Sequence, residues 1–464
     1  MPDDKAQASK ATTAPTFFSD EILAEWIERC EPFHPLDPAT DDRYVELGYV
    51  EEDGEKVRLR GDDHIEQMSD AILLGGRQSC QLFSGFSGTG KSTELQRLKN
   101  RLEAEGYSVL LADAQDHHDL GHALTLEDLT IVVAGAFGEG AAEKLGHDVI
   151  TESYLQRLYD FLGGAADLGD AKVPGPLDLK IGIKHQRPFW LKIRDALSLA
   201  PSKLKEHSHS FIAGCVAHLQ KRKPSPRGVV FILASLEKLY APRAEFHKVM
   251  TSLVQVLSDF PEHFHLPGCH AIYTIPPYVQ LMNPQLGDRY RVSGVLPAVK
   301  VVERVADDAP LRRYPPGIEQ LVEVVGRRVP LDKVFGARRD LLEDLVVDSG
   351  GHVRTLLRLM KELLTQSRRR GLPPDEEALR RVVTPFRQKL ENVVPRSSLG
   401  TLEQVLRQGS LQGLEDSDHE ALASLMQNYA VLSYSNGADW FEIHPLIRDS
   451  VRRLVKESQE DSKS

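Results

Sequence analysis

The 464-residue chain has only four cysteines, Cys30, Cys80, Cys215 and Cys269, and none stands in a C-x-x-C pair. That spacing excludes a zinc ribbon or a disulfide framework and fits a reducing compartment, so a cytoplasmic location is expected. Long apolar runs are missing too: nothing approaches the roughly 18 to 20 residues of a membrane span. An excess of basic charge is also absent. Lys and Arg total 57 against 68 Asp and Glu, a net charge of −11. The molecule as a whole is not an electrostatic nucleic-acid binder, although a local basic face stays open. Met1 to Pro15 is polar, lacks the apolar stretch of a secretion signal, and reads as disordered. No internal repeat and no coiled-coil heptads stand out. The hydrophobic fraction of 41% and charged fraction of 27% are those of a soluble globular protein, and the length predicts two or three domains.

What is present begins with Gly85-Phe86-Ser87-Gly88-Thr89-Gly90-Lys91-Ser92. This fits G-x-x-x-x-G-K-[ST], a loop whose backbone N–H groups converge on phosphate. Gly85, Ser87, Gly88, Thr89, Gly90, Lys91, Ser92 and Thr93 are therefore the candidate cofactor-binding residues. Lys91 would reach the β- and γ-phosphates, and the Ser92 hydroxyl would ligate Mg²⁺. The flanks agree with the motif. Cys80 to Ser84 reads as the strand before it, and Thr93 to Glu105 as the helix after it, with Leu95, Leu98 and Leu102 on one face. A nucleoside triphosphate, ATP or ADP with Mg²⁺, is the expected cofactor.

Along the chain, Phe17 to Cys30 reads as a short amphipathic helix. Glu31 to Asp62 is loop-like because of its prolines and glycines, and Asp63 to Leu74 is again helical. Strands are predicted at Tyr107–Asp113, Gly228–Leu233 and Cys269–Ile275. Helices are predicted near 127–137, 211–220 and 244–259, and an exposed loop over 163–184. Strands alternating with helices argue for a parallel α/β sheet with helices on both faces. After about residue 310 the pattern becomes helical, over 318–327, 331–347, 353–368 and from about 375. The end reads as helix 418–428, strand 430–435, the turn Asn436-Gly437, strand 440–444 and a helix opened by Pro445. That is the outline of a winged helix. The expected domains are a tail over 1–16, a P-loop core with an N-terminal helical segment over 17–310, an all-α lid over 311–395 and a winged-helix domain over 396–464.

Hydrolysis needs an acid to hold Mg²⁺ and a group to orient water. The acid normally follows a buried strand. After Val229 to Leu233, however, the next residue is Ala234, then Ser235, Leu236, Glu237, Lys238 and Leu239. Glu237 either polarises water or Mg²⁺ chemistry, or is an ordinary acid at a helical N-terminus. Ala234 reflects either a natural loss of hydrolysis or an introduced Asp→Ala change. Asp113 is a competing acid, with a structural role favoured. Thr274, near the end of its strand, is either a γ-phosphate sensor or a β-propensity threonine. Arg354, in the first turn after Ser349-Gly350-Gly351-His352-Val353, is either a lid arginine reaching over the nucleotide or a surface arginine. Glu237, Thr274 and Arg354 are the candidate catalytic residues, and Ser92 the metal ligand.

The segments Leu82 to Leu95, Leu236 to Leu239, Tyr273 to Pro276, Ser349 to Arg354 and Tyr434 to Leu446 together resemble the bacterial STAND-type P-loop ATPases, on the AAA+ side near the replication-initiator-like group. The resemblance spans roughly residues 60 to 455 and implies an ATPase core, a helical lid and a winged helix acting as a nucleotide-controlled switch. His444 would stand where the winged helix faces the nucleotide, unless it is a packed core histidine. The departure at Ala234 bears on turnover rather than binding. Such proteins usually carry sensor repeats after the winged helix, so a separate protein partner or self-assembly is expected here. Two other readings compete. One is a DNA-handling ATPase of initiator or transposition-loader type, using the winged helix and Arg368-Arg369-Arg370 on phosphates. The other is a scaffold in which nucleotide is structural.

Overall fold

The structure is a computed structural model that describes residues 15–52, 54–75, 78–117, 122–145, 201–239, 245–305, 309–410, 416–435 and 439–461. The predicted loop over 163–184, the turn Asn436-Gly437 and most of the N-terminal tail lie outside these residues. Its centre is a five-stranded sheet built from β3 (Cys80–Gly85), β4 (Tyr107–Asp113), β5 (Gly228–Ala234), β6 (Cys269–Ile275) and β7 (Arg291–Leu296). The order is β4-β5-β6-β3-β7, and every pairing is parallel. β5 carries Gly-Val-Val-Phe-Ile-Leu-Ala and is buried along almost its whole length. A continuous apolar run is what a strand covered on both faces requires.

Both faces are covered. On one, Val230, Ile232 and Phe83 pack against Leu95, Leu98 and Leu102 of α3 (Lys91–Ala104) and Ile65, Met68 and Ile72 of α2 (His64–Leu73). On the other, Phe231, Leu233 and Tyr273 meet Leu129, Val132 and Phe137 of α4 (Leu126–Leu145) and the helices Pro201–Arg222 and Phe246–Asp259. Asp63 caps α2 by accepting from the N–H groups of Ile65 and Glu66, a contact of about 1 kcal/mol. The helix α1 (Asp20–Arg29) packs on the helix Val353–Arg370.

Beyond the sheet come the helices Pro315–Gly326, Arg339–Asp348, Val353–Arg370, Glu376–Asn392 and Leu399–Gln408. The chain then forms a helix at Asp416–Gln427, the antiparallel strands Val431–Ser435 and Asp439–Ile443, and a helix at Pro445–Asp461. Their apolar faces join one core with Leu321, Leu356, Leu402, Leu432 and Ile447.

The structure departs from the sequence expectations in five places. The segment expected as loop over 31–62 contains a small antiparallel ribbon, β1 (Tyr49–Glu52) with β2 (Glu55–Arg58). Its strands have four residues each, too few for alternation to outweigh the surrounding glycines and charges. The helix expected over 331–347 is broken. A turn at Leu331–Val334 ends at Gly336, whose φ of +52° is a left-handed cap and whose N–H donates to Asp332 O at 3.1 Å. The helix Leu399–Gln408 and strand β7 were not expected. Finally, the helix ending at Arg222 is much longer than its apolar stripe suggested.

Candidate functional site

β3 delivers the chain into the glycine-rich loop, and α3 begins at Lys91 with Gly90 as its N-cap at φ +102°. Gly88, at φ +92°, could not be another residue. A Cβ there would stand 2.7 Å from Arg354 Cβ and 2.8 Å from His352 Cε1. The Lys91 side chain is 3% exposed and turns back into the loop. Its Nζ donates to the carbonyls of Gly85 and Phe86, both at 2.8 Å, and lies 3.2 Å from Glu237 Oε1. The other carboxylate oxygen, Glu237 Oε2, accepts from Thr274 Oγ1 at 2.6 Å.

The sheet explains this meeting. β6 lies beside β3 and carries Thr274, paired in register with Phe83. β5 lies on the far side of β6 and ends at Ala234, where the chain turns through Ser235. Ser235 has a φ of +74°, left-handed for a residue that carries a side chain. The 3₁₀ turn Leu236–Lys238 then swings Glu237 back toward Lys91. Burial works against charge on Glu237. The Lys91 ammonium and the Thr274 hydroxyl outweigh it and hold the carboxyl below its ordinary range.

Arg354 also reaches the loop. Its Nη1 donates to Ser87 Oγ at 2.8 Å, and its backbone N–H donates to Gly88 O at 3.2 Å. The Ser-Gly-Gly-His turn positions it. Ser349 closes the helix Arg339–Asp348, and His352 caps the next helix, its Nδ1 accepting from Thr355 N–H at 3.3 Å. That bond leaves the proton on Nε2, which donates to Ser87 O at 2.8 Å. Burial holds the His352 imidazole down to about 3, so it is neutral.

A cleft of about 700 Å³, its open side included, runs along the loop. Gly88, Gly90, Lys91, Ser92 and Thr93 form its floor, Glu237 and Lys238 one wall, and Arg328, Val353, Arg354 and Leu357 another. Residues Glu31 to Leu36 close its far end. Lys238, Arg328 and Arg354 add positive charge to the walls.

Each expected residue has a definite place. Lys91 and Thr274 meet on the Glu237 carboxylate, and Arg354 reaches the loop separately at Ser87. Ser92 lines the cleft. Thr89 faces inward, its hydroxyl donating to Phe86 O at 2.9 Å. Thr93 Oγ1 accepts from Leu36 N–H at 3.2 Å and so ties the far end of the cleft to α3. Asp113 sits opposite Ala234 in the sheet register, and its Oδ2 accepts from Ser235 Oγ at 2.6 Å and lies 3.4 Å from Lys238 Nζ. His444 is fully buried, with its ring against Phe386 and its Nδ1 accepting from Leu446 N–H at 3.3 Å. It does not line the cleft, so the packed-core alternative describes it.

Residues missed by sequence reasoning include Arg60, His352, Arg328 and Tyr429. Arg60 follows β2 and is 3% exposed, and its Nη2 donates to Thr89 O at 2.7 Å. Tyr429 OH donates to Ser87 O at 2.9 Å. No motif marks either one, because each acts on the loop from a distant part of the chain. Among the described residues, no group of three or more His, Cys, Asp or Glu side chains is arranged to hold a metal ion. No described helix is long and apolar enough to cross a membrane.

Sheet and loop together define the chain as an α/β protein with the P-loop NTPase fold. A strand, β6, separates the P-loop strand from the strand that leads to Glu237. No family model and no curated protein matches the sequence. Among solved structures, the chain is similar to the Aeropyrum pernix ORC2 protein in ADPNP–ADP complexes, at 14% identity and TM-score 0.37, covering 86% of this chain and 93% of that one. It is similar to a Walker-type ATPase of Pyrococcus abyssi at 14% identity and TM-score 0.39, covering 89% and 100%. It is also similar to Drosophila ORC bound to DNA at 12% identity and TM-score 0.34, covering 97% and 96%. At such identities and TM-scores these likenesses carry no inference about ligand or partner.

Proposed function

We propose that this chain is an ATP-binding regulatory switch of the STAND or AAA+ type, with slow or impaired hydrolysis. One observation carries the reading. The Lys91 ammonium lies at the floor of a cationic cleft, held between two loop carbonyls and Glu237, with Thr274 behind the carboxylate. A triphosphate entering the cleft would meet Lys91 and the N–H groups at the start of α3. The strand between β3 and β5 supports the ATPase class over the GTPase-like one.

Mg²⁺ fits as an ion that arrives with the nucleotide. Ser92 offers one hydroxyl oxygen, the phosphates would supply others, and water the rest. Bound there, Mg²⁺ would neutralise phosphate charge. The Ala234 side chain has no oxygen to give, which supports slow turnover. Glu237, ionised by its neighbours, is the group suited to orient a water. Arg354, held on Ser87, is suited to sense the nucleotide from the helical region. These contacts favour a switch, in which ATP or ADP sets self-assembly or binding of a protein partner. The DNA-handling reading ranks second. Arg368 of the basic run is tied to Asp20 at 2.6 Å, while Arg369 and Arg370 are exposed.

The test is binding of a labelled ATP analogue. Lys91→Ala should weaken it by roughly a hundredfold, the worth of charge-assisted hydrogen bonds. Unchanged affinity would overturn the assignment. Mass measured with ATP, ADP and no nucleotide should differ between states. Identical mass, together with salt-dependent duplex DNA binding, would move the reading to the DNA-handling class.

A further inference from the structure

The phosphate loop is shaped from its carbonyl side. In a planar trans peptide the C=O and the following N–H point in opposite directions. Whatever holds a carbonyl outward therefore aims the next N–H inward. Four successive carbonyls of the loop are held this way. Ser87 O accepts from His352 Nε2 at 2.8 Å and from Tyr429 OH at 2.9 Å. Gly88 O accepts from Arg354 N–H at 3.2 Å, Thr89 O from Arg60 Nη2 at 2.7 Å, and Gly90 O from Glu94 N–H at 3.0 Å. The N–H groups turned over by these contacts are those of Gly88, Thr89, Gly90 and Lys91. Thr89 N–H makes one long bond of 3.4 Å back to Phe86 O. Of these five hydrogen bonds, only the one from Glu94 belongs to the loop's own helix.

Tyr429 adds an independent sign. It stands between the helix Asp416–Gln427 and the strand Val431–Ser435 with a φ of +61°. A bulky residue in the left-handed region costs of order 1 kcal/mol or more, and such strain persists where the surroundings over-determine it. Here the ring packs against His352, with centroids 4.7 Å apart, and its hydroxyl reaches Ser87 O. Glycine or asparagine would relieve the strain but lose the contact.

We infer that Arg60, His352 and Tyr429 are positioning residues that preorganise the phosphate-binding amides, and that Tyr429 links occupancy of the loop to the C-terminal strand pair. This rests on the nucleotide reading above and adds its regulation. The linkage is reciprocal: if docking of Tyr429 raises the loop's affinity for phosphate, bound phosphate strengthens that docking by the same factor.

The experiment uses the full chain with Mg–ATP and Mg–tripolyphosphate as titrants, and amide exchange as the second readout. Tyr429→Phe removes one hydroxyl and leaves the ring in place. It should weaken both titrants by the same factor, roughly 3- to 10-fold, the worth of one neutral hydrogen bond. In the wild type, ATP should slow exchange at both the loop and residues 425–435. In Tyr429→Phe the slowing at the loop should remain and that at 425–435 should be lost. His352→Ala should weaken both titrants, and His352→Gln, which keeps a donor, should restore them in part. If Lys91→Ala loses binding while Tyr429→Phe binds and exchanges like the wild type, the nucleotide reading stands and this inference falls. If Lys91→Ala binds as the wild type does, both fall.

Discussion

Two buried ion pairs in this chain are close to identical in chemistry and opposite in use. Lys91–Glu237 lies beneath the cleft at 3.2 Å, with side chains 3% and 5% exposed. Arg448–Glu442 lies in the C-terminal region at 3.1 Å, with side chains 2% and 5% exposed. Their surroundings differ. Arg448 also donates to Ala309 O at 3.1 Å, and Glu442 accepts from Ile443 N–H at 2.9 Å. That pair spends its donors on joining the end of the chain to residues near 309. Lys91 borders an open cleft, and its partner carboxylate is braced from behind by Thr274. The titration directions follow the same division. Burial pushes Glu442 up despite Arg448, whereas Lys91 and Thr274 bring Glu237 below its ordinary range. A buried pair is weak evidence for stability on its own. What distinguishes the Lys91 pair is its place beside the cleft and a carboxylate held below, rather than above, its ordinary range.

The comparison can be broken in several ways. The largest effect is expected for Arg448→Ala, which leaves Glu442 buried without its cation. It should cost about 3 to 5 kcal/mol of stability in urea unfolding. The ATP affinity of the folded fraction should stay unchanged. A loss of only a few tenths of a kcal/mol would erase the distinction from the other side. Lys91→Ala also leaves a buried carboxylate, Glu237, without its cation, but unlike Arg448→Ala it should lose nucleotide affinity as well.

A smaller effect concerns turnover. Ala234→Asp would place a carboxylate beside Asp113 in the sheet register and at the end of the strand leading to Glu237. Phosphate release should rise roughly tenfold, about 1.4 kcal/mol in barrier. An equal or lower rate would mean that the metal acid lies elsewhere.

The smallest effect is with pH. His352 is held down to about 3 from an ordinary 6.5. The folded state therefore binds fewer protons than the unfolded one between these values. Stability from this group is full above the unfolded pKa and is lost as pH falls through the window. Going from about pH 7 to about pH 5.5 should cost about 1 kcal/mol through His352. His352→Gln should lose about that much less over the same range in urea unfolding; identical slopes would mean that His352 titrates normally. Asp348 works with the opposite sign. Burial and the neighbouring Asp344 raise it to about 6, so the variant, rather than the wild-type slope, isolates the histidine.

Much of the sheet was legible because it depends on local pattern. Val229 to Leu233 is apolar without alternation, Leu95, Leu98 and Leu102 recur at helical spacing, and the glycines before Lys91 need no partner to be recognised. The small ribbon at 49–58 and the break at Gly336 were lost because short elements give too few residues for a period to emerge. Glu237 and Thr274 were visible as candidates from strand ends. That they meet on one carboxylate follows from β6 lying beside both β3 and β5, an arrangement that no local pattern contains. His444 and His352 show the limit most clearly. Both are histidines next to glycine- or proline-marked turns. Only the packing decides that His444 turns to Phe386 and His352 to Ser87.

By itself the sequence determined the loop chemistry: glycines able to bend, a lysine and a serine at fixed spacing, and a strand and helix to hold them. Those are properties of adjacent residues, and covalent geometry carries them. The tertiary structure decided which way the loop's amides face. Their partners are Arg60, His352, Arg354 and Tyr429, separated by up to hundreds of residues, and their hydrogen bonds to three successive carbonyls exist only once the chain has folded.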